Sequence, residues 1–266
     1  MTELGSTAAM DTAAALAALD RRLRRELSPM DSHTSVERTR TVTRHLSGLS
    51  HGWSGVLWTD LDESIADDVI RAELIRFRES AGPYEWKLYH HDQPVDLGAR
   101  LTAAGLTAGE NESVMVAEAT TVPVFSAPAG VELVDAYDAD GVERAVAVHA
   151  AAFGDDVGWL RDRMRHLLAD APERVVLVLA VVDGEAVGAA RTEYHPGTDF
   201  AGLWGGGTVA AWRGKGIYKA LVSHRARHAE RRGVRYLQVD AAPSSEPILT
   251  RMGFDRITGT TPYRLA

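Results

Sequence analysis

Between Val209 and Lys219 the chain reads Val-Ala-Ala-Trp-Arg-Gly-Lys-Gly-Ile-Tyr-Lys. Glycines at 214 and 216 remove side chains where a ligand would lie against the main chain, and they admit positive φ. A helix opening at about Gly216 would turn several unpaired N–H groups, and the positive end of its dipole, toward that loop. Such a terminus is an anion site, most naturally for phosphates. Arg213 and Lys215 bring cations to the same place.

Two familiar phosphate loops fit less well. A Walker-type loop needs glycine followed by Lys-Ser or Lys-Thr, whereas Gly216 precedes Ile217-Tyr218 and Gly205-Gly206-Gly207 precedes Thr208-Val209. A dinucleotide fingerprint needs three spaced glycines and an acidic residue closing the next strand; Asp240 supplies the acid, which keeps a nucleotide binder as a weaker alternative.

Arg213-Gly-Lys-Gly216-Ile-Tyr218, set between a strand ending at Val209 and an amphipathic helix, resembles the Arg/Gln-x-x-Gly-x-Gly/Ala motif of the GNAT superfamily of acetyl-CoA-dependent N-acyltransferases. The resemblance covers roughly 131–266. It implies that acetyl-CoA is the acyl donor and that the coenzyme is held by Thr208, Val209, Arg213, Gly214, Lys215, Gly216, Ile217 and Tyr218. Tyr218 departs from the motif, which ends on a small residue.

Acyl transfer to an amine needs a polarised carbonyl, a base and a proton for the leaving thiolate. Free N–H groups around Thr208–Ala210 are the candidate oxyanion donors. Glu193 is the first candidate base and His195 the second, although the Pro196-Gly197 turn carries His195 away from the centre. Many family members have a tyrosine in the last short helix as acid; Leu249 stands there, which leaves Ser244, the first choice, then Ser245, Tyr263 or water.

The elements that must position these groups can be read from periodicity. Leu16, Leu19, Leu23 and Leu27 give an amphipathic helix over 12–27, and Val42, Leu46 and Leu49 suggest another over 36–49. A strand over 54–58, a helix over 65–78, an alternating strand Tyr84–Tyr89, a helix from about Pro94 to Ala104 and a strand near 113–117 follow. Pro123, Pro128 and Gly130 mark a linker. Beyond it come a strand at 131–134, helices at 139–153 and 159–168, a strand at 175–182, and Asp183-Gly184 as a hairpin turn into a second antiparallel strand. A strand over 200–209, a helix ended by Gly233, a parallel strand at 234–239, a short helix at 244–252 and a terminal strand from Phe254 complete the chain. That order is the GNAT order, and the first half repeats it in outline.

The expected fold is therefore α/β (α+β), a mixed and mostly antiparallel sheet flanked by helices, in two tandem GNAT-like domains. Residues 1–122 form a reduced domain without a phosphate loop, 123–130 a linker and 131–266 the catalytic domain. In the family, the strand equivalent to 200–209 splays from its parallel neighbour to admit the pantetheine arm, which would account for Gly205, Gly206 and Gly207.

Composition agrees with a packed globular protein of 266 residues, 45% hydrophobic and 25% charged. A net charge of −8 disfavours nucleic acid and points to a cationic small substrate. There is no cysteine, hence no disulfide or thiolate chemistry. Residues 1–15 do not read as a signal peptide and no stretch reads as a membrane span, so a cytoplasmic protein, monomer or homodimer, is expected. His90-His91 and the His224/His228 pair read as turn and solvated helix face rather than metal ligands, and His149 as a core-edge histidine. The expected activity is acetylation of a small-molecule primary amine. Alternatives are a non-catalytic acyl-CoA-binding module or a mycothiol-synthase-like acetyltransferase, since that enzyme also pairs two GNAT-like domains.

Overall fold

The structure, a computed structural model, describes residues 9–49, 52–80, 82–154 and 157–265. Residues 1–8, the start of the segment read for a leader, lie outside it, as do Asp155 and Asp156.

The first half contributes α1 (Thr12–Leu19), β1 (Thr34–Arg38), β2 (Val42–Ser47), β3 (Ser54–Thr59), α2 (Ala66–Glu79), β4 (Tyr84–Tyr89), α3 (Leu97–Ala103), β5 (Leu106–Ala108) and β6 (Glu112–Glu118). The second contributes β7 (Glu132–Ala136), α4 (Ala139–Phe153), α5 (Gly158–Asp170), β8 (Val175–Val182), β9 (Glu185–Tyr194), β10 (Phe200–Thr208), α6 (Ile217–Arg231), β11 (Tyr236–Ala241), α7 (Glu246–Thr250) and β12 (Asp255–Leu265). Asp11 caps α1 by accepting from the Ala14 N–H at 3.0 Å, and the helix widens into a π-helical segment, Asp20–Arg25.

The helix expected over 36–49 is not there. That stretch is β1 and β2, paired antiparallel from Thr34↔Ser47 to Arg38↔Thr43. Thr34, Val36, Thr41, Val42 and Thr43 are β-branched and favour extended backbone. Thr39 builds the turn between the strands, its hydroxyl accepting from the Val42 N–H at 2.9 Å. These local preferences outweigh three apolar residues at helical spacing.

The Asp183-Gly184 turn has φ of 48° and 86°, the two positive values a two-residue hairpin of this kind needs, and it joins β8 to β9 with Val182 opposite Glu185. All twelve strands form a single sheet in the order β1-β2-β3-β4-β12-β6-β11-β10-β9-β8-β7, with β5 against β12. The halves exchange their last strands: β6 pairs with β11 and β12, and β12 lies between β4 and β6.

On one face of the second half, α6 and α7 cover Val176, Val178, Ala180, Leu237 and Val239. On the other, α4 and α5 cover Val175, Leu177, Leu179 and Ala189, while α1 packs on Val114, Val116, Phe200 and Tyr236. In the first half α2 and α3 pack with Val56, Trp86 and Tyr263.

Candidate functional site

The parallel pair β10–β11 is bonded only from Phe200↔Tyr236 to Gly202↔Gln238, after which the strands diverge. On its other edge β10 pairs with β9 up to Trp204↔Arg191 and resumes at Gly207↔Ala189, so Gly205 and Gly206 form a bulge. Gly205 has φ of 57°. A Cβ on Gly206 would stand 3.0 Å from Tyr218 Cε2 and 3.4 Å from Arg225 Nη2. The expected splay and its glycine break are both present.

Past the open end of this cleft the chain turns through Ala210–Trp212 into Arg213-Gly-Lys-Gly, and α6 starts at Ile217. Gly214 and Gly216 adopt φ of 75° and 92° with open space where side chains would be. Gly216 caps α6 without a side-chain bond, so the first-turn amides have no side-chain competitor. The Thr208 hydroxyl is buried with no partner among the described residues. A glycine-cleared, uncapped helix start at the mouth of a strand gap fits a pyrophosphate followed by an extended arm.

Residues 141–254 match the model of the acetyltransferase (GNAT) family. The chain carries a GNAT acetyltransferase domain. Solved structures share the fold over most of the chain. A GCN5-related N-acetyltransferase from Kribbella flavida aligns with a TM-score of 0.68 at 16% identity, covering 95% of this chain and 93% of that one. A tandem GNAT protein from the clavulanic acid biosynthesis pathway gives 0.60 at 15%, covering 90% and 84%. A GCN5-related N-acetyltransferase from Sphaerobacter thermophilus gives 0.59 at 14%, covering 85% and 81%. No curated protein matches the chain in sequence.

Within the GNAT domain both loop cations have contacts of their own. Arg213 braces the loop, donating from Nε to the Thr208 carbonyl at 3.1 Å and from Nη2 to the Ala152 carbonyl at 2.8 Å. Lys215 lies over the Trp212 ring at 4.1 Å, exposed at the loop tip. Ile217 is buried in the core beneath α6. The Val209 N–H donates to the Val187 carbonyl at 3.0 Å, which removes it from the oxyanion donors expected over Thr208–Ala210. Between Trp204 and Gly207, Gly205 and Gly206 have no partner in the β9–β10 ladder.

Tyr218 turns its ring beneath Gly206, within reach of Arg225, with Ser245 near its hydroxyl. The bulky residue at the motif's small position is thus housed by a missing side chain in the opposing strand. Burial raises the Tyr218 pKa. Arg225 is fully buried against the Leu221 and Arg191 carbonyls, and burial lowers its pKa to about 10.

Glu193 stands on β9 opposite Gly202, at the apex of the cleft, on the α5 face. Its carboxylate bonds Arg163 at 2.7 Å and Arg191 at 2.8 Å. Burial favours its neutral form, but the two guanidinium groups hold its pKa well below the usual carboxylate range. A carboxylate so stabilised is a weak base. His195 stays beside the Phe200 end of β10, five residues short of the bulge, with both ring nitrogens buried and without partners among the described residues. Ser244 is exposed after β11, whereas Ser245 faces Tyr218. Leu249 is fully buried in the core, and Tyr263, one of the acids considered, packs in the first half with its hydroxyl beside Gly98, away from the cleft.

Three placements were not legible in the sequence. His149 of α4, read as a core-edge residue, flanks the bulge: its Nδ1 lies 3.4 Å from where a Gly205 Cβ would be. Asp240, considered only as a ribose acceptor, bonds Lys87 of β4 and accepts from Gln238 Nε2 at 2.6 Å. His224 and His228 face Asp135 at 2.8 and 3.5 Å instead of forming a solvated face.

The first half repeats the cleft and fills it. β3 and β4 are bonded only from Ser54↔Tyr84 to Val56↔Trp86, and the β2–β3 ladder is irregular at the same level. Arg24, 1% exposed, donates from Nε to the Leu57 carbonyl at 2.8 Å, lies over the Tyr89 ring at 3.9 Å and bonds Asp92 at 2.6 Å. Its guanidinium therefore bridges the diverging strands, and the loop that follows β3 carries Asp60, Asp62 and Glu63 in place of glycines and cations.

Proposed function

We propose that the chain transfers an acetyl group from acetyl-CoA to a primary amine of a small molecule by direct attack, with coenzyme bound only in the second half. The observation that carries this reading is the β10–β11 divergence opening onto the uncapped N-terminus of α6 behind Gly214 and Gly216. First-turn amides, with Thr208, Val209, Gly214, Lys215, Gly216, Ile217 and Tyr218 around them, hold the coenzyme, and Arg213 fixes the loop's shape.

Glu193 and Ser244 were the residues expected to carry the proton transfers. The double ion pair suits Glu193 to orienting Arg163 and Arg191 at the cleft apex, and Tyr218, buried beneath the bulge, joins Ser244 as a candidate to protonate a leaving thiolate. The halves 1–122 and 131–266, joined by 123–130, act as one unit in which only the second is catalytic. We read the protein as cytoplasmic and as a monomer or homodimer; no helix among the described residues is long and apolar enough to cross a membrane.

Isothermal titration with acetyl-CoA, followed by coenzyme A release against a set of primary amines, tests the reading. Saturable binding of one acetyl-CoA per chain with amine-dependent release is expected. Binding without release on any amine would leave a non-catalytic acyl-CoA-binding module, and absence of binding would remove the reading altogether.

A further inference from the structure

We propose that the acceptor is a cationic amine bound in a recess of about 420 Å³ across β4, β6 and β12, and that Glu112 takes the proton from its ammonium group. The inference rests on the coenzyme reading above for the place where the acetyl group is delivered.

The recess is lined by Glu85, Lys87, Glu110, Glu112, Thr260, Pro262 and Arg264. Residues directly opposite in a sheet share a face, as do alternate residues along a strand. Asp240 is opposite Val114, Glu112 opposite Thr260, and Pro262 opposite Lys87, so these side chains lie on one face. Gln238 is opposite Gly202, which in turn is opposite Glu193, so the same face carries the apex of the cleft. Lys87 ties the two places together. Its ammonium bonds Asp240 on β11 and lies 5.8 Å from the ring centre of Trp204, the residue just before the bulge on β10. The recess therefore lies beside the end of β11, on the sheet face that carries the cleft apex, and it is built mostly from strands that the first half supplies or pairs with.

Its charges are unevenly matched. Arg264 takes Glu85 at 2.5 Å, and Lys87 takes Asp240. No ion pair among the described residues reaches Glu110 or Glu112. Two carboxylates without counter-ions disfavour an acceptor bearing its own carboxylate and suit a diamine, one nitrogen at Glu112 and the other at the more exposed Glu110.

Glu112 is also in the protonation range the reaction requires. Burial pushes its pKa up to about 7; Lys87 opposes the rise, and Asp240, Glu85 and Glu110 add to it. Around the recess it shares the lining with Glu110, Lys87 of β4, Thr260 and Pro262 of β12 and the Arg264–Glu85 pair. A base poised near neutrality accepts a proton efficiently at physiological pH. The ammonium loses one proton to Glu112 and thence to water. The freed nitrogen forms the C–N bond as the C–S bond breaks, and a second nitrogen-bound proton ends on sulfur as coenzyme A leaves as the thiol.

The probes are 1,4-diaminobutane and glutamate, offered with acetyl-CoA to wild type, Glu112→Gln and the Glu110→Gln/Glu112→Gln pair. Wild type should bind and acetylate diaminobutane in preference to glutamate, with kcat/KM rising through about pH 7 as Glu112 ionises. Glu112→Gln should keep acetyl-CoA affinity within about twofold, lose about 100-fold or more in kcat and lose the rise. The pair should weaken titrated diaminobutane binding at least about tenfold. Because Gln mimics the protonated carboxyl, an unchanged or higher Tm is expected, which separates chemistry from misfolding. Equal diaminobutane binding by wild type and the pair, or preference for glutamate, would overturn the recess. A pH rise surviving in Glu112→Gln would overturn the base. Failure of acetyl-CoA to bind wild type would instead remove the coenzyme reading, while the diaminobutane titration would still decide the recess.

Discussion

Glu193 shows how environment reassigns a residue. Its type and its place near the end of a central strand suggest a base, yet it sits between two guanidinium groups and is 5% exposed. Replacing it with Gln leaves Arg163 and Arg191 without their counter-charge, and a loss of about 3 kcal/mol in unfolding free energy is expected from denaturant titration at pH 7. The sign with pH follows from the depressed folded pKa. The stabilisation is complete above the ordinary carboxylate value of 4.5 and is lost as pH falls below it toward the folded value. Glu193→Gln should accordingly flatten the acid limb of the stability profile. Gly206 makes the complementary point: no chemistry is visible in a glycine, but its bare Cα accommodates Tyr218. Gly206→Val should leave the fold intact and weaken acetyl-CoA binding at least about tenfold, read by titration, because the ring is pushed into the cleft.

At the scale of elements, the loop and the start of α6 work as one device. Gly216 caps the helix at φ of 92°, a conformation that costs other residues about 1–2 kcal/mol. Gly216→Ala should lower Tm and weaken acetyl-CoA binding together, whereas Lys215→Ala, at an exposed loop tip, should weaken binding mainly at low salt. Helix boundaries here were legible to within a few residues: α4 spans the expected 139–153, and α6 starts one residue after Gly216. The hairpin at Asp183-Gly184 and the parallel β10–β11 pair were equally legible, because turn chemistry and crossover handedness are local rules. The segment 36–49 was not, since three apolar residues at helical spacing also fit a β-branched hairpin that a neighbouring strand then buries.

In the whole molecule, each half completes the other's sheet. Expressed alone, residues 131–266 would lack β6, leaving β11 with an open edge and β12 without either long neighbour. Aggregation of that fragment, relieved by co-expression with residues 1–130, is the expected outcome in a solubility and size-exclusion assay. The first half lacks a coenzyme loop with or without its bridge, since Asp60, Asp62 and Glu63 follow β3: Arg24→Ala should destabilise that half by emptying a buried bridge, yet titration should still give one acetyl-CoA per chain.

The sequence by itself determined the glycine loop that opens α6, the order of elements in the second half and the family they resemble, because glycines, turn dipeptides and periodicity act over a few residues. Only the tertiary structure decided the exchange of β6 and β12, the plug of the first cleft by Arg24, and the meeting of Lys87 with Asp240 from residues 153 apart in the chain. Burial and pairing across such distances set both the charge of Glu193 and the neutrality-poised carboxyl of Glu112, and neither is a property of the residue type.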